Sequence, residues 1–581
     1  MNTKILKQYL PILNWLPGYD RQALSSDSMA GLIVAIMLVP QGMAYALLAG
    51  LPPEVGLYAS IVPLVLYGLL GSSRALAVGP VAIVSLMVAS TVGAYAESGS
   101  PDYIAAAILL AALSGVFLLA MGLLRLGFLV NFLSHPVISG FTSAAALVIG
   151  FSQLKHLLGF DIPRSHLITE TIQHAITHIS QLNSVTFAIA AFSLGLLLFW
   201  KNKVPGLLKA SGMPEGLANP LSKAGPLVAV VITTLSVWAF GLDGASGIAV
   251  VGHVPAGLPP VGLPEFDLAL VKELLPAAIL ISLVGFLESV SVAKSLASKR
   301  GQKIDANQEL VALGAANIGA ALTSGYAVTG GFSRSMVNFS AGAVTPLASI
   351  ITAALIALTV VLLTPLLYFL PKATLAAIIV VAVATLVDFK TFRDSWLYNK
   401  ADAISLAVTF FAVLTLGVEL GIVFGALLSI ALYLWRTSRP HIAIVGRVGE
   451  TEHFRNVLRH EVQTHPKVLM VRVDESLYFA NTAYLEDQIL AHVADNPKVD
   501  NLVLIMSAVN FIDASALETL EALAQQLRDA GVALHLAEVK GPVMDRLNRV
   551  AFTHHLGGGN IYLSTDDAVK HLTGRSTNIA A

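Results

Sequence analysis

The stretch "YAVTGGFSRSMVNFSAG" (326–342) sets Arg334 between two long apolar segments with no acidic residue beside it. At membrane depth such a charge is costly, and it faces a cavity, a partner or a substrate. Gly330 and Gly331 break the chain just ahead of it, Phe332 follows, and Ser333 and Ser335 flank the arginine. A helix that starts at such a break leaves its first amide N–H groups unpaired, which is tolerable only where something polar satisfies them. An anion suits them, because aligned N–H donors carry about half a positive charge. The hydroxyls can donate as well, and Arg334 adds a full charge. Arg334 also has a plainer use, reaching along its helix to a polar interface.

A second stretch, "ALAVGPVAIVSLMVAS" (75–90), has the same order of parts: an extended Ala-Val lead, a break at Gly79 and Pro80, then Val81, Ala82 and a short helical run containing serine. Paired short segments, interrupted by Gly or Pro in the two halves of a membrane chain, point to a binding site between inverted repeats. Two glycine-containing helix starts can also look alike by chance. In "VPQGMAYALLAG" (39–50), Pro40 sits in an apolar span and Gln41 and Tyr45 follow at i, i+4, on one helical face. There they can meet a ligand or hydrogen-bond a neighbouring helix. In "ILISLVGFLESVSVAKSLASKR", Glu288 lies in a long apolar helix with Ser282, Ser289 and Ser291 close by. A carboxyl so placed suits proton exchange and points to proton coupling. It can equally balance a buried base such as Arg334 or Lys294, and the two roles are compatible.

"ETIQHAITH" places Glu170, His174 and His178 on one helical face, as a metal stripe or as a solvated surface, and no metal site is assigned to it. No Walker loop, HExxH or nucleophile elbow occurs, so an enzymatic reading lacks a constellation and no cofactor is implied.

The elements that must carry these residues are membrane spans. Hydrophobic residues make up 55% of the 581 and charged residues only 12%, with a mean hydropathy of +0.75, values outside the ordinary soluble range. Apolar runs of spanning length, such as "YIAAAILLAALSGVFLLAMGLL", recur through the first three-quarters and give about fourteen spans between Asp27 and Trp435. A net charge of −1 gives no field for nucleic acid, and the absence of cysteine excludes disulfide and thiolate chemistry. Residues 1–26 read as a retained cytoplasmic arm, since they lack a signal-peptide pattern. The basic residues favour one face. An N-terminus inside puts Arg74, Arg125, Lys201, Lys203, Lys209, Lys223, Lys294, Lys299, Arg300, Lys303, Lys390, Arg393 and Lys400 in the cytoplasm, while "AESGSPD" and the other opposite-side connections carry few or none. An even number of spans with both termini cytoplasmic fits this bias.

After Arg439-Pro440 the composition becomes that of a soluble domain. "VLMVRVDESLYFAN", "VDNLVLIMSAVNFID" and "VALHLAEV" read as strands and "SALETLEALAQQLRDAG" as an amphipathic helix, which implies a small cytoplasmic α/β domain over 439–581. Residues 27–438 form the transmembrane part, with repeats at roughly 27–241 and 269–437.

The block "PPEVGLYASIVPLVLYGLLGSSRALAVGPVAIVSL" (52–86) resembles a hallmark of the sulfate permease (SulP) family of anion transporters. The run "GFLESVSVAKSLASKRGQKIDANQELVALGAANIGAALTSGYAVTGGFSRSMVN" resembles its second hallmark, and the tail around "NFIDASALETL" is similar to a STAS domain. The resemblance implies an α-helical polytopic fold of seven-plus-seven inverted spans, with a core domain moving against a gate domain, and a homodimer in the plasma (inner) membrane. It implies an anion held between the third and tenth helix N-termini. Gly79, Pro80, Val81 and Ala82 would lie on one side, Phe332, Ser333 and Arg334 on the other, with Gln41 and Tyr45 from the first span. It makes Glu288 the proton-coupling acid. The wording is most similar to plant and bacterial sulfate transporters, which favours sulfate/proton symport by alternating access. A sodium-coupled bicarbonate carrier, which more often has Asp near the Glu288 position, and a chloride or dicarboxylate carrier are the alternatives. A membrane-anchored signalling or scaffold protein built around the STAS domain is the remote one. Ser515 falls where anti-sigma antagonists are phosphorylated, but Ala514 and Ala516 replace the Ser and Gly common there, and the domain's partner is left open.

Overall fold

The computed structural model describes residues 10–128, 134–163, 168–214, 218, 221–264 and 266–574. The first nine residues of the expected N-terminal arm and the last seven of the expected C-terminal domain lie outside the described residues. The chain forms two compact units, residues 1–429 and 430–581.

The first unit is helical because its apolar runs leave the backbone no other way to satisfy its polar groups in lipid. Its segments in order are α1 (Arg21–Leu48), α2 (Pro53–Tyr58 continued by Val62–Leu70), α3 (Ala82–Val92), α4 (Pro101–Leu123), α5 (His135–Ser152), α6 (Ser184–Ala210) and α7 (Gly225–Phe240). The second set is α8 (Leu268–Ser298), α9 (Ala306–Leu322), α10 (Phe332–Ser340), α11 (Leu347–Leu362), α12 (Lys372–Val383), α13 (Lys400–Leu416) and α14 (Val418–Ser438). The first seven and the last seven correspond as repeats. The long α1 and α8 each contain one proline, Pro40 and Pro276. The short α3 and α10 each follow a two-residue strand, β1 (Val78–Gly79) and β2 (Thr329–Gly330). At 1.5 Å per residue α3 and α10 reach only about 16 and 14 Å, half of a hydrocarbon core of about 30 Å. They are half-helices.

The helices divide into two bundles. In one, α9 packs on α4 and α2, α11 on α1 and α2, and α8 on α4. Glycines bring the α4 and α9 backbones together: a Cβ on Gly115 would lie 2.7 Å from the Ile318 nitrogen, and one on Gly314 would lie 2.7 Å from the Leu119 nitrogen. Small residues at helix contacts serve this close packing in membranes. In the other bundle α13 packs on α5 and α12 on α6. There a hydroxyl chain runs from Ser193 to Thr374 (3.1 Å) and on to Thr233 (3.0 Å).

The C-terminal unit carries a six-stranded sheet: β3 (Ile442–Arg447), β4 (Phe454–Asn456), β5 (Val468–Val473), β6 (Asn501–Ile505), β7 (Ala533–Ala537) and β8 (Ile561–Tyr562), in the order β4-β3-β5-β6-β7-β8. β5 to β8 run parallel, with α15 (Thr482–Ala494), α16 (Ala514–Asp529), α17 (Gly541–Arg549) and α18 (Thr565–Thr573) as connections and as the final helix. Strands buried on both faces explain the apolar runs Val468–Val471 in β5 and Leu502–Ile505 in β6. The sequence pattern did not mark β3 or the short edge strands β4 and β8.

Candidate functional site

β1 and β2 pair antiparallel, Val78 opposite Gly330 and Gly79 opposite Thr329, and the Gly331 N–H donates to the Ala77 carbonyl at 3.1 Å. The half-helices leave from this small ribbon. Val81 and Gly331 occupy their N-cap positions, and neither cap is made by a side chain. The Ser85 N–H closes onto Val81 and the Ser335 N–H onto Gly331. The amides ahead of them, beginning at Ala82 and Phe332, therefore have no partner within their helices. Two positive helix ends meet at one place.

Arg334 joins them. Its Nη1 donates to the Pro80 carbonyl at 2.6 Å, so one guanidinium ties the start of α10 to the start of α3. The residue is 2% exposed, and its Nε and Nη2 are buried without a hydrogen-bond partner. A buried cation in that state carries a penalty of several kcal/mol that a partner would relieve. Two glycines leave room for it. A Cβ on Gly331 would lie 3.0 Å from Nη2, and Gly79, at a φ of +149° that other residues rarely adopt, would bring one to 3.4 Å.

Polar side chains hold the ribbon from behind. The Ser289 hydroxyl accepts from the Gly330 N–H at 2.8 Å and donates to Thr329 Oγ1 at 2.7 Å, which in turn donates to the Gly285 carbonyl at 2.6 Å. The Asn317 amide clamps Val328 on both sides, accepting from its N–H and donating to its carbonyl, each at 2.9 Å. Asn338 Nδ2 donates to the Ala75 carbonyl at 3.1 Å, and the Ser85 and Tyr326 hydroxyls bond at 2.8 Å. Ser335, read above as a donor for a ligand, is otherwise engaged: its hydroxyl donates to the Gly331 carbonyl and accepts from the Ala77 N–H. Asn317, Thr329 and Asn338 were missed by the sequence reading. For Asn317 the signal was there, a polar residue in the otherwise apolar helix run "ALGAANIGAAL".

Glu288 sits on α8 beside Ser289. It is half-buried, its Oε2 lacks a hydrogen-bond partner, and it makes no ion pair with Arg334 or with the exposed Lys294. Even so, Glu288, Arg334 and Tyr45 lie within range of one another's charge. α1 packs against both half-helices. From it Gln41 and Tyr45, 5% and 7% exposed, make no hydrogen bond among the described residues. Gly79, Pro80, Val81 and Ala82 are buried, whereas Phe332, at 51%, and Ser333 are exposed. An arrangement of uncapped helix N-termini and a guanidinium offers donors and positive charge at one place, which is what reversible binding of an anion requires.

The remaining candidates lie apart from this place. The His174 and His178 rings stack at 4.0 Å, which turns them toward each other, and among the described residues no group of three His, Cys, Asp or Glu side chains is arranged to hold a metal. Ser515 is exposed in the first turn of α16, whose N-cap is Asp513, accepting from the Ala516 N–H at 2.8 Å. A phosphate on Ser515 would meet that carboxylate as well as the helix end.

Comparison with known proteins places residues 24–409 in a match to the sulfate permease family and residues 459–568 in a match to the STAS domain. The chain is 38% identical to probable sulfate transporter 4.2 of Arabidopsis thaliana, over 98% of its own length and 84% of the relative's. It is likewise 38% identical to sulfate transporter 4.1, chloroplastic, from the same plant, over 96% of this chain and 82% of that protein. A solved structure of the murine Solute Carrier 26 family member A9 anion transporter, inward-facing, superposes with a TM-score of 0.89 at 25% identity, covering 99% of this chain and 95% of the other.

Proposed function

The chain belongs to the sulfate permease family, and on that premise we propose that it carries an inorganic anion, sulfate foremost, across a membrane together with protons. One observation carries the reading: Arg334 is buried between two uncapped half-helix N-termini with Nε and Nη2 unanswered. A tetrahedral oxyanion presents acceptors to an arginine fork and to backbone amides at once. The names of the plant relatives support sulfate over other anions.

Proton coupling follows from charge. An ionised Glu288 near Arg334 repels a dianion from the same space, and protonation removes that repulsion, so each of the two ligands favours the other. Alternating access would come from the bundle bearing α3 and α10 moving against the bundle of α5–α7 and α12–α14. Both termini belong on the face rich in Lys and Arg.

Uptake of labelled sulfate into proteoliposomes, with and without an inward proton gradient, is the test. The gradient is expected to stimulate uptake by the parent protein and not by Glu288→Gln. Full stimulation of that variant would sink the coupling assignment, and failure of bicarbonate, chloride and dicarboxylates to compete would narrow the substrate to sulfate.

A further inference from the structure

Between α12 and α13 the chain forms a ten-residue helix, Phe389–Tyr398, that the anion site does not use. Val387 and Asp388 are not helical and separate it from α12, and α13 begins two residues after its end. The Asp388 side chain caps it, accepting from the Thr391 N–H at 3.0 Å, while the Asp388 N–H donates to Ser143 Oγ on α5 at 3.0 Å. The helix packs against α5 and α13. It therefore lies where spans end, on the face assigned above to the cytoplasm.

Its two sides are the reverse of what water demands. Thr391 and Ser395, one turn apart, are half-buried, so a polar side is turned to the protein. Phe389, Phe392, Trp396 and Leu397 are exposed, Phe389 by 81% and Leu397 by 75%, and the Phe392 and Trp396 rings stack at 6.2 Å. A surface helix in water buries its apolar side. One that turns its aromatic side outward at the end of a span has the bilayer interface as its neighbour.

The exposed charge is mostly of one sign. Lys390, Arg393 and Lys400 are exposed and make no ion pair or side-chain hydrogen bond among the described residues, against one exposed carboxylate nearby, Asp394. Arg393 stands one turn from both Phe389 and Trp396, on the aromatic side. The positive-inside bias accounts for bases on this face. It does not account for aromatic rings among them that point away from the protein. Rings at the level of the headgroups with bases beside them match a phospholipid of net negative charge.

We propose that Phe389–Tyr398 is an interfacial helix that gathers anionic phospholipid, its rings seated at the acyl boundary and Lys390 and Arg393 on the headgroup phosphate. The proposal goes beyond the anion-transport reading and does not depend on it.

The chain has no cysteine, so a single thiol introduced as Leu397→Cys, or as Phe389→Cys should the first variant misfold, can carry a bimane label. Full-length protein is reconstituted in phosphatidylcholine vesicles containing phosphatidylglycerol, with bromine on the acyl chains of one lipid or of the other at equal mole fraction. Brominated phosphatidylglycerol is expected to quench the label about twofold more strongly than brominated phosphatidylcholine. Adding Lys390→Gln with Arg393→Gln should abolish the difference and leave quenching by both. A label that neither lipid quenches would place the helix in water or against protein, a second copy of the chain included, and would overturn the proposal. Equal quenching by the two lipids in the parent, or a preference that survives removal of both bases, would overturn the headgroup assignment and the proposal with it. The readout needs no turnover, so a protein that takes up no anion would sink the transport reading and leave the quenching ratio to decide the helix.

Discussion

Arg334 is held by one hydrogen bond, to Pro80, while its other donors are buried and unanswered. An unpaired buried charge weakens a fold, a cost that the proposed anion would offset. Arg334→Ala should therefore abolish uptake while leaving the thermal midpoint unchanged or higher, as read by uptake and by melting of the purified protein. A lowered midpoint together with retained transport would reverse the assignment. Arg334→Lys keeps the charge and loses the planar fork, and should raise KM by about 10- to 100-fold, the loss of one charge-assisted hydrogen bond. Gly331→Ala tests the same place sterically. Its Cβ would meet Nη2 at 3.0 Å, Cζ at 3.1 Å and Val81 Cγ1 at 3.2 Å, so the guanidinium must shift. Weaker sulfate binding at normal yield is expected, and an unchanged KM would show that the guanidinium's position is not set there.

Among the elements, the ribbon of β1 and β2 does the positioning. Two strands of two residues each have no stability of their own, and α8, α9 and α10 hold them through Ser289, Asn317 and Ser335. Ser289→Ala leaves the buried Gly330 N–H without its acceptor and should cost about 1–3 kcal/mol. Because the loss falls on the ribbon, the thermal midpoint and the sulfate KM should move together, and a variant with both unchanged would show that the strands are held elsewhere. At the C-terminal end of α10, Arg300 donates to the Phe339 carbonyl at 2.9 Å and lies over the Phe339 ring at 4.2 Å. Asp27 on α1 accepts from the Val344 N–H at 2.7 Å and the Thr345 N–H at 3.1 Å. The far end of the half-helix is thus anchored too, which leaves its uncapped N-terminus as the end open to a ligand.

At the scale of the whole molecule, the two units should answer differently to acid. In the sheet of the C-terminal unit, His535 Nδ1 accepts from the Asn560 N–H at 3.0 Å and Nε2 lies 3.0 Å from Asn501 Oδ1, an arrangement that requires the neutral ring. Burial, with a smaller contribution from the charge of His571, lowers its pKa below the ordinary histidine value. A depressed folded value means that the stabilisation is present above the unfolded pKa of about 6.5 and is lost as pH falls through the folded one. Hydrogen exchange, corrected for intrinsic rate, should therefore rise in β6 and β7 between about pH 6.5 and 5 and not at the α4–α9 contact. Equal change in both places would count against His535. The division into a polytopic helical part and an α/β domain was legible in the sequence, because hydropathy over a span and alternation within a strand are local properties. So was the pairing of residues 75–90 with 325–342, because a glycine break before a short helix leaves a local mark. What holds the site together was not legible. Ala77 meets Ser335 and Pro80 meets Arg334 across more than 250 residues of chain. Whether a hydroxyl faces the ligand space or a backbone carbonyl depends on which helix packs behind it, as Ser333 and Ser335 show. The sequence by itself determined that two helix starts and an arginine lie at membrane depth. Only the tertiary structure decided that they meet, and that the guanidinium is left with donors to give, because hydrogen-bond partners in a packed interior are chosen by long-range contacts that no local pattern encodes.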